Sequence, residues 1–182
     1  VVDQQLGDAL LARARNAIAN ELGGAQVKEP EHPALHQPGA TFVTLTRLGE
    51  LRGCIGSVEA YRSLDQDVRE NARAAAFRDP RFAPLRAGEL AATRVEVSLL
   101  TPAEPIRFAT EEDAVRQLRP GIDGVILESG RHRGTFLPQM WERLSDPWQF
   151  MTQLKRKAGL AEDFWSKDVR LYCYKVQKWS EE

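Results

Sequence analysis

The chain has 182 residues, 42% hydrophobic and 28% charged, with a formal net charge of −1. Such a composition buries a sizeable core without disulfides or metal, and the near-zero charge removes any general drive toward nucleic acid or an anionic membrane. No apolar run approaches the roughly 20 residues of a membrane span, and the two cysteines, Cys54 and Cys173, read as free thiols in a reducing cytoplasm. The opening "VVDQQLGDALLARARNAIANEL" lacks the order of a secretory signal; because the chain does not start with methionine, a leader ahead of it stays open. Leu6, Leu10, Leu11, Ile18 and Leu22 recur at helical spacing, and Gly23-Gly24 stops the run. "KEPEHPALHQPG" reads as a proline-rich loop. "ATFVTLTR" and "LRGCIGSV" predict a hairpin whose link "LGEL" places Gly49 first in a type II′ turn. Ser63 with Gln66 forms a capping box ahead of "LDQDVRENARAAAF", where Leu64, Val68, Ala72 and Ala75 make the buried stripe and Pro80 stops the helix. "RVEVSLL" alternates as a strand. "TEEDAVRQL" predicts a short helix with an acidic first turn. "GVILES" and "HRGTFL" predict a second hairpin around Gly130. Asp146 caps a helix opening on Pro147 and ending at Gly159, and "DVRLYCYKV" is the last strand. Strand and helix signals alternate irregularly, which points to an α+β fold with a mainly antiparallel sheet flanked by helices.

"LRGCIGSV", "NARAAAFRDPRFAPL", "EVSLL", "GTFLPQMWERLSDPWQF" and "LKRKAGL", in that order along the chain, resemble the AMME chromosomal-region protein family, whose prokaryotic members are called AmmeMemoRadiSam system protein A. The resemblance runs from about residue 42 to residue 176. It implies a single AMME-type domain over residues 1–182, with a larger and a smaller lobe and a cleft between them. It also implies partners: a Memo-type protein related to extradiol dioxygenases and a radical S-adenosylmethionine protein. It carries no established activity with it.

The cysteine in "LRGCIG" is the foremost chemical candidate. A hairpin pairing Leu48 with Leu51 would set Arg47 opposite Arg52 and Leu45 opposite Cys54, with Arg47, Arg52 and Cys54 on one face. Like charges directly opposite call for something negative between them, such as a thiolate, a carboxylate or a small anionic ligand. Nearby arginine charge raises the thiolate fraction, and Gly53 and Gly56 let a ligand or another backbone come close. Cys54 is therefore a candidate nucleophile or ligand-contacting thiol; a small apolar residue packed under a helix is the competing reading. Cys173 alternates in phase with Val169 and Leu171 and is expected to face the core.

Other candidates rest on misplaced polarity. Asn71 falls on the apolar stripe of its helix, so its amide must be hydrogen-bonded; main chain near residues 51–57 or 96–100 is the expected partner. Glu96 could face solvent or line the cleft and answer the hairpin arginines. Arg73 and Arg81 flank "AAFRDP" and could form an anion clamp, while Asp79-Pro80 reads as a turn. Pro138 starts a helix with Gln139 and Trp141 in its first turn, where a polar ligand group could be received, though Trp141 suits a core equally. There is no Walker loop or dinucleotide fingerprint, and no cofactor is implied. His32 and His36 flank Pro33 without a third ligand, which argues against a metal site. His132 sits at a hairpin tip with nothing local linking it to Cys54. "LKRKAGL" suits a helix C-terminus and is too short to argue for nucleic-acid binding in a neutral chain. Three functions follow: a non-catalytic partner that presents or receives a substrate, with Arg52 and Cys54 at its cleft; a small-molecule enzyme or binding protein using Cys54; and an RNA-associated protein.

Overall fold

A computed structural model describes residues 2–182. The fold is α+β, with two antiparallel four-stranded sheets. The chain divides into two compact units, residues 1–100 with 177–182, and residues 101–176.

In the first unit, α1 (Gln4–Leu22) is capped at its start by the Asp3 carboxylate and ends at Gly23 in the left-handed region, where glycine carries no Cβ penalty. The proline-rich loop includes a single 3₁₀ turn, Pro33–His36. Strands β1 (Ala40–Arg47) and β2 (Glu50–Gly56) follow, then α2 (Leu64–Phe77) behind the Ser63 cap, a 3₁₀ segment (Ala87–Ala92) and β3 (Thr93–Leu100). With β8 (Val176–Ser180) added from the end of the chain, the sheet order is β2-β1-β3-β8, so β2 lies at an edge. Val43, Leu45, Val95 and Val97 on one sheet face pack with Leu10, Ile18, Val68 and Ala72 of α1 and α2.

The expected hairpin register is corrected. The two central turn residues are Leu48 and Gly49, both at positive φ (53° and 81°), the pattern of a type I′ turn, whose twist matches the flanking strands. Arg47 therefore faces Glu50 rather than Arg52, and Cys54 faces Thr44 rather than Leu45. The register shifts between Leu45 and Thr46, so Arg52 is an extra residue in a bulge. By strand alternation, Cys54 shares the outer sheet face with Thr44, while Arg47 carries the parity of Val43 and Leu45.

In the second unit, β4 (Glu104–Pro105), α3 (Glu111–Gln117), β5 (Gly124–Ser129), β6 (His132–Phe136), α4 (Pro147–Lys157) and β7 (Arg170–Tyr174) form a sheet of order β4-β7-β5-β6 with two helices. Its core is aromatic: Trp141 stacks on Phe150 at 3.8 Å between centroids, and Phe136 meets Phe150 edge-on at 5.3 Å. The predicted last strand, residues 168–176, is β7, and a further strand follows it. The chain breaks at Lys175, and β8 (Val176–Ser180) joins the first sheet. Among the described residues no helix is long and apolar enough to cross a membrane.

Candidate functional site

Cys54 sits near the middle of β2, half-buried. Gly53 beside it is forced by packing: a Cβ there would lie 2.1 Å from the carbonyl oxygen of Ala75, so α2 presses directly on the strand. At Gly56 the ring of Phe42 fills the space a Cβ would need. The room the two glycines create is thus taken by the chain's own helix and ring, and not left for a ligand.

The backbone of Cys54 is clamped by the segment "DPRF". Its N–H donates to Asp79 Oδ2 at 3.0 Å, and its carbonyl accepts from Arg81 Nη2 at 3.3 Å. Arg81 and Asp79 pair at 2.8 Å. The Phe82 ring lies under both Arg81 and Arg52, at 5.4 and 6.0 Å from its centroid. Asp79 is buried, and the Arg81 guanidinium, with the Cys54 N–H, holds its carboxyl well below the usual carboxylate range. The two sequence blocks "LRGCIG" and "DPRF" are therefore one structural object.

The Cys54 thiol lies 3.3 Å from the Thr44 hydroxyl. Thr44 in turn is opposite Glu96 on β3. Thiol, hydroxyl and carboxylate thus form a row across three strands, each step about 4.8 Å. Glu96 accepts from Ser180 Oγ at 3.0 Å and pairs with Lys178 at 3.6 Å. The hairpin arginines are answered by Glu89 instead. Arg52 Nε donates to it at 2.9 Å and Arg47 Nη1 at 3.4 Å, and these contacts, the Arg52 bond foremost, lower the Glu89 carboxyl. Arg52 Nη1 is buried without a hydrogen-bond partner.

Asn71 is buried as its helical phase requires, and its amide donates to the Thr41 carbonyl at 3.0 Å, to Ser57 Oγ at 3.1 Å and to Asp67 Oδ2 at 3.0 Å. The main-chain partner is on β1, not in residues 51–57 or 96–100. Asp67, fully buried, is the hub that sequence reasoning missed. Besides Asn71 it accepts from the Thr41 N–H and hydroxyl, Ser57 Oγ and Arg62 Nε, all at 2.7–2.8 Å. Its position four residues before Asn71 on the same buried face was the available signal. Glu89 carried no such signal, since it lies 37 residues from Arg52.

The remaining candidates stand apart from this cluster. Arg73 pairs with Glu70 and with Glu21 on the helix surface, so it has different partners from Arg81. Gln139 is exposed in a five-residue 3₁₀ segment, Pro138–Glu142, too short to act as a helix N-terminus, while Trp141 is core and donates to the Asp123 carbonyl. His32 caps the 3₁₀ turn and bonds Asp3; His132 bonds the Ala158 carbonyl. Cys173 keeps the core phase, opposite Val125, but is only half-buried. Among the described residues no group of three or more His, Cys, Asp or Glu could hold a metal ion.

A protein of Methanothermobacter thermautotrophicus is 38% identical over 181 residues, covering 97% of this chain and 94% of its own length. A Saccharolobus solfataricus protein is 38% identical over 172 residues, covering 90% of this chain and 76% of its own. The crystal structure of an uncharacterized protein from Pyrococcus horikoshii superposes with a TM-score of 0.86 at 34% identity, over all of this chain and 94% of that one. The sequence profile of AMMECR1 matches residues 11–179. With the profile spanning nearly the whole chain and relatives this similar over most of their length, the chain belongs to the AMMECR1 family.

Proposed function

We propose that the chain is a cytoplasmic, non-catalytic component that presents or receives a small molecule, with Cys54 and Arg52 contacting it. The partners this reading takes are the Memo-like and radical S-adenosylmethionine proteins that the family resemblance implies. The observation that carries it is the surroundings of Cys54. Its backbone N–H and carbonyl are occupied by Asp79 and Arg81, and the side-chain group bonded to its thiol is the Thr44 hydroxyl. A nucleophilic thiol is activated by an adjacent base or a lowered pKa, and a threonine hydroxyl is no base. Nor is the Cys54 N–H free to stabilise an oxyanion. A thiol held rigidly, half-exposed and unpaired with a base suits contact with a ligand better than turnover of one.

The row Cys54–Thr44–Glu96 favours a second reading, an enzyme in which Thr44 passes the thiol proton toward Glu96. Mass spectrometry of molecules retained by the purified chain, by Cys54→Ala and by Thr44→Val separates the two. The presenting role predicts a non-covalent ligand that Cys54→Ala loses and Thr44→Val keeps. A covalent adduct on Cys54 that turns over, and needs Thr44, would replace it with the enzymatic reading. No retained mass, with Cys54 labelled by iodoacetamide only after denaturation, would overturn both and leave "LRGCIG" as a packing motif.

A further inference from the structure

The second unit contains a cavity of about 390 Å³ walled by Glu104, Arg119, Cys173, Tyr174 and Lys175. Its walls are fixed by local structure. Lys175 lies at the break after β7, where its N–H donates to Thr101 Oγ1 and its carbonyl accepts from the Thr101 N–H, both at 2.8 Å. Glu104 on β4 is directly opposite Cys173 on β7. Arg119 is oriented by the buried Asp123: its Nη2 and Nε donate to Oδ1 at 2.7 and 3.1 Å, and its backbone N–H donates to Oδ2 at 2.9 Å. That arrangement leaves Nη1 of a half-exposed guanidinium unengaged.

The charges do not suit a simple ion. Asp123 already answers Arg119, and a lone anion would meet the Glu104 carboxylate; a lone cation would meet the Lys175 ammonium. The Lys175 and Glu104 side chains are both exposed, and neither makes a salt bridge among the described residues, although the Glu104 carboxylate acts on Arg119 through space. Between them, the Cys173 thiol is pushed up by burial and by the Asp123 and Glu104 carboxylates, with Arg119 partly offsetting, so it stays protonated and neutral at pH 7. The cavity thus offers a donor group, an acceptor group and an uncharged wall, in a volume that suits a small molecule.

We propose that this cavity binds a small zwitterion of the α-amino-acid type, its carboxylate against Lys175 and Arg119 and its ammonium against Glu104. In the Cys54→Ala chain Cys173 is the remaining thiol, so its rate of maleimide labelling, read by peptide mass spectrometry, reports occupancy. L-alanine and L-methionine should slow the labelling, while acetate and methylammonium, each carrying one charge, should not. Glu104→Gln and Lys175→Met, both at exposed positions, should keep the thermal midpoint and raise the half-protecting L-alanine concentration about tenfold, the loss of about 1.4 kcal/mol of binding. Acetate or methylammonium protecting as well as L-alanine would overturn the zwitterion assignment. So would absence of protection, or protection that survives both variants. If Cys173 labels only after denaturation, saturation-transfer NMR of L-alanine with the same three chains decides: transfer that both variants diminish supports the site, and any other result overturns it.

Discussion

In the unit of residues 1–100 and 177–182, a carboxylate with no exposure, Asp67, accepts bonds from Thr41, Ser57, Arg62 and Asn71. Arg13, also buried, donates to Asp65, Glu31 and the Ala9 and Pro30 carbonyls. In the unit of residues 101–176 the comparable position is held by stacked rings, Trp141 on Phe150, with Phe136 at their edge. Apolar packing tolerates exchange at constant volume, whereas a buried polar network is satisfied in one arrangement and costly in every other. Thr41 lies on β1 and Ser57 follows directly on β2, the two strands that carry Thr44 and Cys54. The polar hub therefore fixes the hairpin against α2 in one register, which is the rigidity that the proposed contact site calls for. The second unit also buries charge, Asp123 with Arg119 and Lys155 with Glu111, but as separate pairs beside an aromatic interior.

The comparison breaks first at Asp67. Asp67→Ala leaves the Arg62 guanidinium and the Thr41, Ser57 and Asn71 donors without their acceptor, and urea titration should show a loss of about 3–5 kcal/mol. The shape-conserving Asp67→Asn should recover little of it, because the charge and one acceptor oxygen are gone. Met151→Leu, a like-sized exchange at a fully buried position of the second unit, should cost less than about 1.5 kcal/mol. Equal costs for Asp67→Asn and Met151→Leu would erase the contrast between the units.

Asn71→Leu keeps the bulk and removes the amide, at about 1–3 kcal/mol in a thermal melt; no loss would mean that the hub holds without it. Asp79→Asn sharpens the contrast through pH. Asp79 is depressed in the folded chain, so its contribution is present above the unfolded value of about 3.9 and fades as pH falls through the lower folded value. At pH 7 the substitution should cost about 1–2 kcal/mol, and the gap to the parent chain should narrow in melts below about pH 4. A gap independent of pH would remove the Asp79–Arg81 pair from the account. The smallest effect is a gain. Leu48 is 88% exposed and sits at φ 53°, a conformation asparagine accepts and leucine resists. Leu48→Asn should stabilise by about 0.5–1 kcal/mol in the same titration.

The α+β architecture was legible because its signals are local. Asp3 and Thr110 aside, the caps at Ser63 and Asp146 and the stop at Gly23 are short-range chemistry, and the first hairpin's β1 alternates visibly. The β1–β2 register was not, because Leu48 occupies a turn position where composition predicts asparagine or glycine, and the bulge at Arg52 has no signature of its own. Within the candidate site, Cys54 and Asn71 stood out by their own surroundings in the sequence. Asp79 read as a turn residue and Glu89 drew no reading at all, since their roles depend on contacts made 25 and 37 residues away.

The clamp on Cys54 has a bearing on how copies of this chain coexist. An outermost strand with unpaired backbone groups is a template for strand addition by another molecule, and β2 occupies such an edge. Asp79 and Arg81 fill the hydrogen-bonding places such a strand would take, one acceptor and one donor, with no main chain to propagate from. With both places taken, the β2 edge is closed at Cys54 in the folded chain.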